Sequence, residues 1–198
     1  MFRLTNLNNS TPYKLIEKYY DLALNKNEEH IEAISISSYS SEKNEVDSRF
    51  VNLKMIDNDE FIFFSNYQSP KASQFLSNNQ IAAVFFWRTI NVQIRMKAKI
   101  KKLPSEVSDK YFSERSKDKN ALAISSRQSQ KISSYEDVIK NYNLALDESN
   151  LEIRPDYWGG YSFTPYYFEF WEGHDSRLNK REAYEKSEDS WKHLILQP

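Results

Sequence analysis

From Val92 to Lys101 the chain alternates without a miss. Val92, Ile94, Met96, Ala98 and Ile100 are apolar, and Gln93, Arg95, Lys97, Lys99 and Lys101 are polar or charged. Successive side chains of a strand point to opposite faces, so this segment predicts a long strand with one face in a core and one in water. Two-faced strands of this kind belong to antiparallel sheets. Just before it, Ile81–Trp87 is a continuous apolar run and predicts a strand buried on both faces. Arg49–Ile56 and Phe61–Asn66 flank the turn Asp57-Asn58-Asp59-Glu60 and predict a hairpin. The basic face of the 92–101 strand reads as the solvated side of a sheet, with a nucleic-acid stripe as the alternative. A balance of 27 Lys plus Arg against 28 Asp plus Glu gives that alternative no global charge to support it.

The other segments fit around that sheet. Residues 1–10 are polar and expected to be mobile. Thr11-Pro12 opens an amphipathic helix to about Asn25, with Leu15, Ile16, Tyr19, Leu22 and Ala23 at helical spacing. Glu32–Ser38 alternates as a strand, and Tyr39–Ser48 reads as a loop. Ser69 caps a short helix that begins Pro70-Lys71 and carries Ala72, Phe75 and Leu76. Pro104-Ser105 starts a helix to about Arg115, and Asn120–Ser126 is an apolar patch. Ser133 or Ser134 caps a third long helix, whose buried face is expected to hold Tyr135, Val138, Ile139 and Tyr142. Beyond Arg154-Pro155-Asp156, a final β section covers Tyr157–Trp171, and Trp191–Leu196 is the last strand. About six or seven strands, without βαβ alternation or a glycine-rich nucleotide loop, argue against Rossmann and P-loop architectures. The expected fold is mainly β with helical additions, a closed antiparallel barrel in one domain over 1–198.

Composition narrows the chemistry. The chain has no cysteine, so disulfides, thiolate catalysis and cysteine-ligated metals are excluded. His30, His174 and His193 are scattered without metal-ligand spacing, and no metal site is expected. No apolar run approaches membrane-spanning length and the N-terminus shows no signal-peptide pattern, so a soluble, cytoplasmic protein is expected. An aromatic content of 15% favours β structure and contacts to flat ligands.

Two places carry residues suited to a ligand. All three glycines lie between 159 and 173, where the backbone bends or closely approaches something. Directly after them, Arg177 and Arg181 follow Trp171, pairing two cationic forks with a stacking face. Lys71 at a helix start offers a cation beside free backbone N–H groups, a competent phosphate site. Taken singly, these are also a solvated turn and an ordinary capped helix.

The motifs Arg49-x-Val51-x-Leu53-Lys54, Ser65-Asn66-x-x-Ser69-x-Lys71-Ala72, Gln93 and Glu106-Val107-x-x-x-Tyr111-Phe112-x-x-Arg115 follow one another in order. They continue with Gln128-Ser129-x-x-Ile132-Ser133, Trp158-Gly159-Gly160-Tyr161, Glu169-Phe170-Trp171-x-Gly173, Arg177-Leu178-x-x-Arg181 and Trp191. This set, from about Thr11 to Pro198, resembles the pyridoxamine 5'-phosphate oxidases, flavin-dependent enzymes of vitamin B6 metabolism. The resemblance implies an FMN-binding split barrel, a Greek-key antiparallel β-barrel working as a homodimer with FMN at the subunit interface and without nucleic-acid or membrane partners. By position, FMN would meet Arg49, Val51, Leu53, Lys54, Phe64, Ser65 and Lys71, and the other subunit would supply Gln93, Gln128, Ser129, Trp171 and Arg181. Substrate phosphate would meet Lys54, Tyr111, Arg115 and Lys119. Arg177 would lie over the pyridine ring, with Asn179 as the other catalytic position.

The implied reaction oxidises pyridoxamine or pyridoxine 5'-phosphate to pyridoxal 5'-phosphate with molecular oxygen, releasing hydrogen peroxide. Four departures stand against the family pattern. Pro70 replaces an Arg, Lys119 a Ser and Asn179 a His, and a segment that covers the substrate is expected to be missing before residue 11. They keep open a split-barrel flavin oxidase acting on another flat substrate, such as a phenazine precursor, and a non-catalytic protein that binds FMN or a B6 phosphate.

Overall fold

The computed structural model describes residues 1–188 and 190–198. Its centre is β8 (Trp158–Glu172), a strand of 15 residues. Along one edge β8 pairs with the alternating strand β7 (Val92–Lys102). Its other edge is shared: Trp158–Phe163 pairs with β5 (Glu60–Asn66), and Tyr167–Glu172 pairs with β9 (Lys180–Ser187). β9 turns back into β10 (Ser190–Ile195). Beyond β7 come β6 (Gln80–Trp87), β2 (Ala33–Ser40) and β3 (Glu45–Asn52); beyond β5 come β4 (Met55–Asp57) and β1 (Arg3–Thr5), the latter parallel to β4.

One short stretch curls this sheet. β3 pairs with β2, and Leu53 N donates to Glu32 O on the same side. One residue later Lys54 N donates to Ile62 O, and β4 joins β5. The chain thus changes partners at Leu53-Lys54 and ties the two ends of the sheet together. The inner face holds Ile34, Ile36, Phe61, Phe63, Phe85, Ile94 and Phe168, all fully buried. Each such side chain contributes roughly 1.5–3 kcal/mol by leaving water. The helix α1 (Thr11–Asn25) packs Tyr13 against Phe61 and Phe168, and Tyr20 against Phe2 and Trp87. Four further helices, α2 (Pro70–Ser77), α3 (Ser105–Ser113), α4 (Lys117–Ser125) and α5 (Tyr135–Glu148), lie on the connections.

The mostly β curled sheet agrees with the expected fold class, but several elements differ from expectation. The described residues form ten strands rather than six or seven. Residues 1–10 carry β1, and Phe2 is buried under Tyr20, whose hydroxyl donates to the Phe2 carbonyl. The expected loop Tyr39–Ser48 is largely the β2–β3 hairpin, with Ser40 opposite Glu45. Arg49–Ile56 is two strands, broken at the partner change. Ile81, Ala83, Phe85 and Trp87 are buried, but the opposite face of β6 is open, with Phe86 at 55% exposure, so the run is covered on one side only within this chain. The helix expected to reach Arg115 stops at Ser113, and the apolar patch beyond it is α4. On α5, Ser134 is the cap, accepting from Asp137 N, but Tyr135 and Ile139 are exposed and only Ala145 is buried.

Candidate active site

Where β5 runs into α2, a lysine is turned inward. Pro70 takes the first helical position, where no backbone N–H is needed, and its ring presets the helical φ. Lys71 follows and is 7% exposed. Its Nζ lies 3.2 Å from Ser65 Oγ, 3.2 Å from Ser69 Oγ and 3.1 Å from Gln128 Oε1, all neutral partners. Burial, with the Arg49 charge second, lowers its pKa from 10.5 to about 8. Gln128 Oε1 also accepts from Ser65 Oγ at 3.0 Å and from Asn66 N at 3.4 Å. An ammonium, a hydroxyl and a backbone N–H converging on one oxygen form the donor set that suits an anionic oxygen. The Arg49 guanidinium is tied beside it by Ser38, Asp47 and Gln74.

A second group gathers on α3 and the start of α4. Phe64, Trp158 and Tyr111 are nearly parallel, with Phe64 and Tyr111 centroids 3.7 Å apart and Phe64 and Trp158 5.4 Å apart. Gly160 permits this closeness, because a Cβ there would lie 3.0 Å from Phe64 Cε1 and 2.5 Å from Leu103 Cδ1. The Arg115 guanidinium lies over the Trp158 ring at 4.3 Å. Its Nη2 donates to the Lys119 carbonyl, while its buried Nη1 has no partner. Lys54 is half-buried; burial lowers its pKa first, repulsion from Lys119 and Arg115 lowers it further, and Glu32 opposes both. Burial raises the Tyr111 pKa against the pull of Arg115 and Arg3. A buried guanidinium N–H without an acceptor, set among lysines beside a flat aromatic wall, offers donors of the kind that suit an anion.

The third group lies on the outer face of the sheet. Gln93, Trp171 and Arg181 are direct cross-strand neighbours on β7, β8 and β9, so they form one row. Arg181 Nε and Nη2 both donate to Glu169 Oε1, at 3.0 and 2.8 Å. Just beyond, Gly173–Asn179 is a tight turn. Asn91, at φ 52°, backs onto Gly173, where a Cβ would come within 2.6 Å of Asn91 Cγ. Asn179 Oδ1 accepts from His174 N at 3.0 Å, and Arg177, at φ 60°, closes the turn through its N–H to the His174 carbonyl. The Arg177 side chain is exposed.

The chain therefore brings Arg49, Ser65, Lys71 and Gln128 into one cluster and Lys54, Phe64, Tyr111, Arg115 and Lys119 into another. Gln93, Trp171 and Arg181 form a third. Gln128, which the resemblance assigned to the other subunit, reaches Lys71 of its own chain. Ser129, at φ 66°, is exposed beside it. Leu53 is fully buried, and Val51 is partly buried against the core. Ser69, Gln74, Ser38, Trp158, Arg3 and Glu169 were not among the expected site residues. Ser69, Trp158 and Glu169 stood in the sequence motifs without a site role, and Gln74 lies three residues after Lys71 on the same helix; Ser38 and Arg3 come in only through long-range pairing.

Comparison with known proteins finds similarity over most of the chain. Residues 24–141 match the family described as pyridoxamine 5'-phosphate oxidase, and residues 158–198 match the pyridoxine 5'-phosphate oxidase C-terminal dimerisation region. The chain is 36% identical over 193 residues to pyridoxine/pyridoxamine 5'-phosphate oxidase 1 of Hydrogenovibrio crunogenus, covering 94% of this chain and 88% of that protein. It is 36% identical to the Haemophilus influenzae pyridoxine/pyridoxamine 5'-phosphate oxidase, covering 94% and 89%. Among solved structures it resembles PhzG of Burkholderia lata, in complex with tetrahydrophenazine-1-carboxylic acid, with a TM-score of 0.89 at 25% identity, covering 96% and 93%. A pyridoxamine 5'-phosphate oxidase-related, FMN-binding protein of Nostoc punctiforme shares the fold, with a TM-score of 0.77 at 13% identity, covering 96% and 99%.

Proposed function

The chain belongs to the pyridoxamine 5'-phosphate oxidase family of FMN-dependent oxidoreductases, and from that premise we propose that it oxidises pyridoxamine or pyridoxine 5'-phosphate to pyridoxal 5'-phosphate. The substrate carbon C4' loses two electrons, and dioxygen takes them with two protons to leave as hydrogen peroxide. The amine substrate passes through an imine that water hydrolyses, releasing ammonia. FMN, when bound, supplies the two-electron acceptor between substrate and dioxygen.

What supports this reading is that one chain gathers two separate clusters of cationic and donor groups, either of which suits an anion. The Lys71 cluster fits a phosphate monoester: a buried ammonium, the Ser65 hydroxyl and the Asn66 N–H would hold the FMN phosphate, with Gln128 yielding its place to a phosphate oxygen. The Arg115 cluster would hold the substrate phosphate, using the unpartnered Nη1, Lys54 and Lys119. The stacked Phe64 and Tyr111 rings wall that second site. Gln93, Trp171 and Arg181 would meet the flavin from a second subunit of a homodimer, a placement supported by the matched C-terminal dimerisation region. Arg177 would lie over the substrate ring. Asn179 would act through the turn, since its carboxamide oxygen is engaged by His174 N. Positioning, rather than side-chain acid–base chemistry, is the protein's main contribution.

The test is peroxide formation by FMN-loaded protein given either B6 phosphate in air. Turnover of neither, with FMN bound, would refute the proposal. The similarity to PhzG favours a second reading, oxidation of a flat carboxylic acid. The Arg115 cluster can accept a carboxylate as well as a phosphate. A tricyclic dihydro acid supplied in the same assay separates the two. Binding of a B6 phosphate without peroxide would instead indicate a binding protein.

A further inference from the structure

Two residues along the sheet from the row Gln93–Trp171–Arg181, a second row runs Arg95–Glu169–Ala183. Its central carboxylate is 2% exposed although it belongs to the outer face. Arg95, Arg181 and Tyr167 cover it. Oε1 takes both Arg181 bonds, and Oε2 accepts from Arg95 Nη1 at 2.9 Å and from the Tyr167 hydroxyl at 3.1 Å. On the far side of the fork, Arg181 Nη1 donates to the Gln197 carbonyl at 2.8 Å. A guanidinium has five N–H groups in a fixed plane. These three bonds hold Arg181 by its rear and flank, leaving one N–H on each terminal nitrogen for a ligand. One carboxylate between two arginines also leaves a net positive charge on this part of the face.

We propose that Glu169 is a positioning residue that fixes the orientation of the Arg181 fork beside Trp171, so that the row meets a polar flavin edge already organised. This rests on the reading that Arg181 faces the flavin. Preorganisation of this kind shows up as affinity, because the fork need not be ordered when the ligand arrives. Arg95, the other arm on the carboxylate, holds Glu169 but has no place in the row.

The test is a double-mutant cycle on FMN affinity, measured by quenching of flavin fluorescence, with the flavin reduction potential and thermal melting followed in the same proteins. R181Q, which removes a charged hydrogen-bonding group, should weaken FMN binding about tenfold or more. E169Q should weaken it several-fold in the wild-type background, shift the reduction potential, and have no further effect on affinity in R181Q. R95Q loosens Oε2 but leaves both Arg181 bonds to Oε1, so it should cost less FMN affinity than E169Q; an equal or larger loss in R95Q counts against the direct Glu169–Arg181 contact. Unaltered affinity in E169Q, or an equal loss in E169Q whether or not Arg181 is present, overturns the positioning role while the flavin reading stands. Unaltered affinity in R181Q removes the flavin reading of the row and the proposal with it. If E169Q does not fold, E169D keeps the charge and draws the carboxylate back from the fork; it should lower FMN affinity, and unchanged affinity in it overturns the proposal.

Discussion

Replacing Lys71 by Met should make the cofactor-free protein more stable and the cofactor-bound protein weaker. Burial lowers the lysine's pKa from 10.5 to about 8. At about 1.4 kcal/mol per pH unit, keeping that ammonium charged costs the fold on the order of 3 kcal/mol. Water at the mouth of the site screens part of this, leaving roughly 2 kcal/mol. Against it stand three hydrogen bonds from Nζ. Ser69 Oγ still donates to the Asn66 carbonyl and Ser65 Oγ still donates to Gln128 without the lysine, so each lost bond costs about 0.5 kcal/mol, the low end for a hydrogen bond. The Met side chain fills a similar volume. The net gain expected for cofactor-free K71M at pH 7 is about 0.5 kcal/mol.

The sign follows from the direction of the lysine shift. Below pH 8 the ammonium is charged in both folded and unfolded chains and the full penalty applies. As pH rises from 8 towards 10.5 the folded lysine is neutral, the penalty fades, and the gap between K71M and wild type closes. Urea unfolding of both cofactor-free proteins at pH 7 and pH 9.5 measures this. FMN affinity should move the other way, falling about 10- to 100-fold with the loss of a charge-assisted bond to phosphate. A destabilised K71M at pH 7, or a gap that does not narrow at pH 9.5, would refute the account of a strained, buried ammonium kept for a phosphate.

Other perturbations test the remaining parts of the site. R115M should raise KM for a phosphorylated substrate by about 10- to 100-fold with a smaller change in kcat, because a buried anion partner is lost; equal KM values in steady-state kinetics would contradict its role. G160A should destabilise the fold by about 1–3 kcal/mol in urea unfolding, since the added methyl overlaps Leu103 and Phe64. In wild-type protein, FMN affinity should weaken as pH rises above about 8, because a phosphate favours charged Lys71 and raises its pKa on binding; calorimetric titrations at pH 7 and pH 9 show whether it does. N179A removes the acceptor for His174 N and should loosen the turn, raising KM more than it lowers stability, which should change by only about 1 kcal/mol; a histidine at 179 that improves turnover would argue for a proton-carrying role instead.

Local periodicity was enough for the elements whose burial repeats along the chain. β7 is two-faced as Val92–Lys101 predicts, and α1 runs from Thr11 to Asn25 between the expected ends. The family resemblance named Lys71, Arg115 and Arg181, around which the three clusters gather, because residue types and their order are carried by the sequence itself. What one-dimensional pattern could not supply was long-range pairing. Glu45–Ser48 looks like a polar loop because its side chains face water, yet the backbone is held by β2. Leu53 looks like part of a ligand-binding strand but is drawn into the core where the chain changes partners.

Gln128 and Lys71 are 57 residues apart, and Arg181 and Glu169 are 12 apart across a hairpin; neither contact is visible until the sheet has curled. The sequence determined which cationic, hydroxyl and aromatic residues were available for a site. Only the tertiary structure decided which of them are buried, which donors remain unpaired, and which carboxylate restrains the arginine, because desolvation and hydrogen-bond partners are properties of the packed chain.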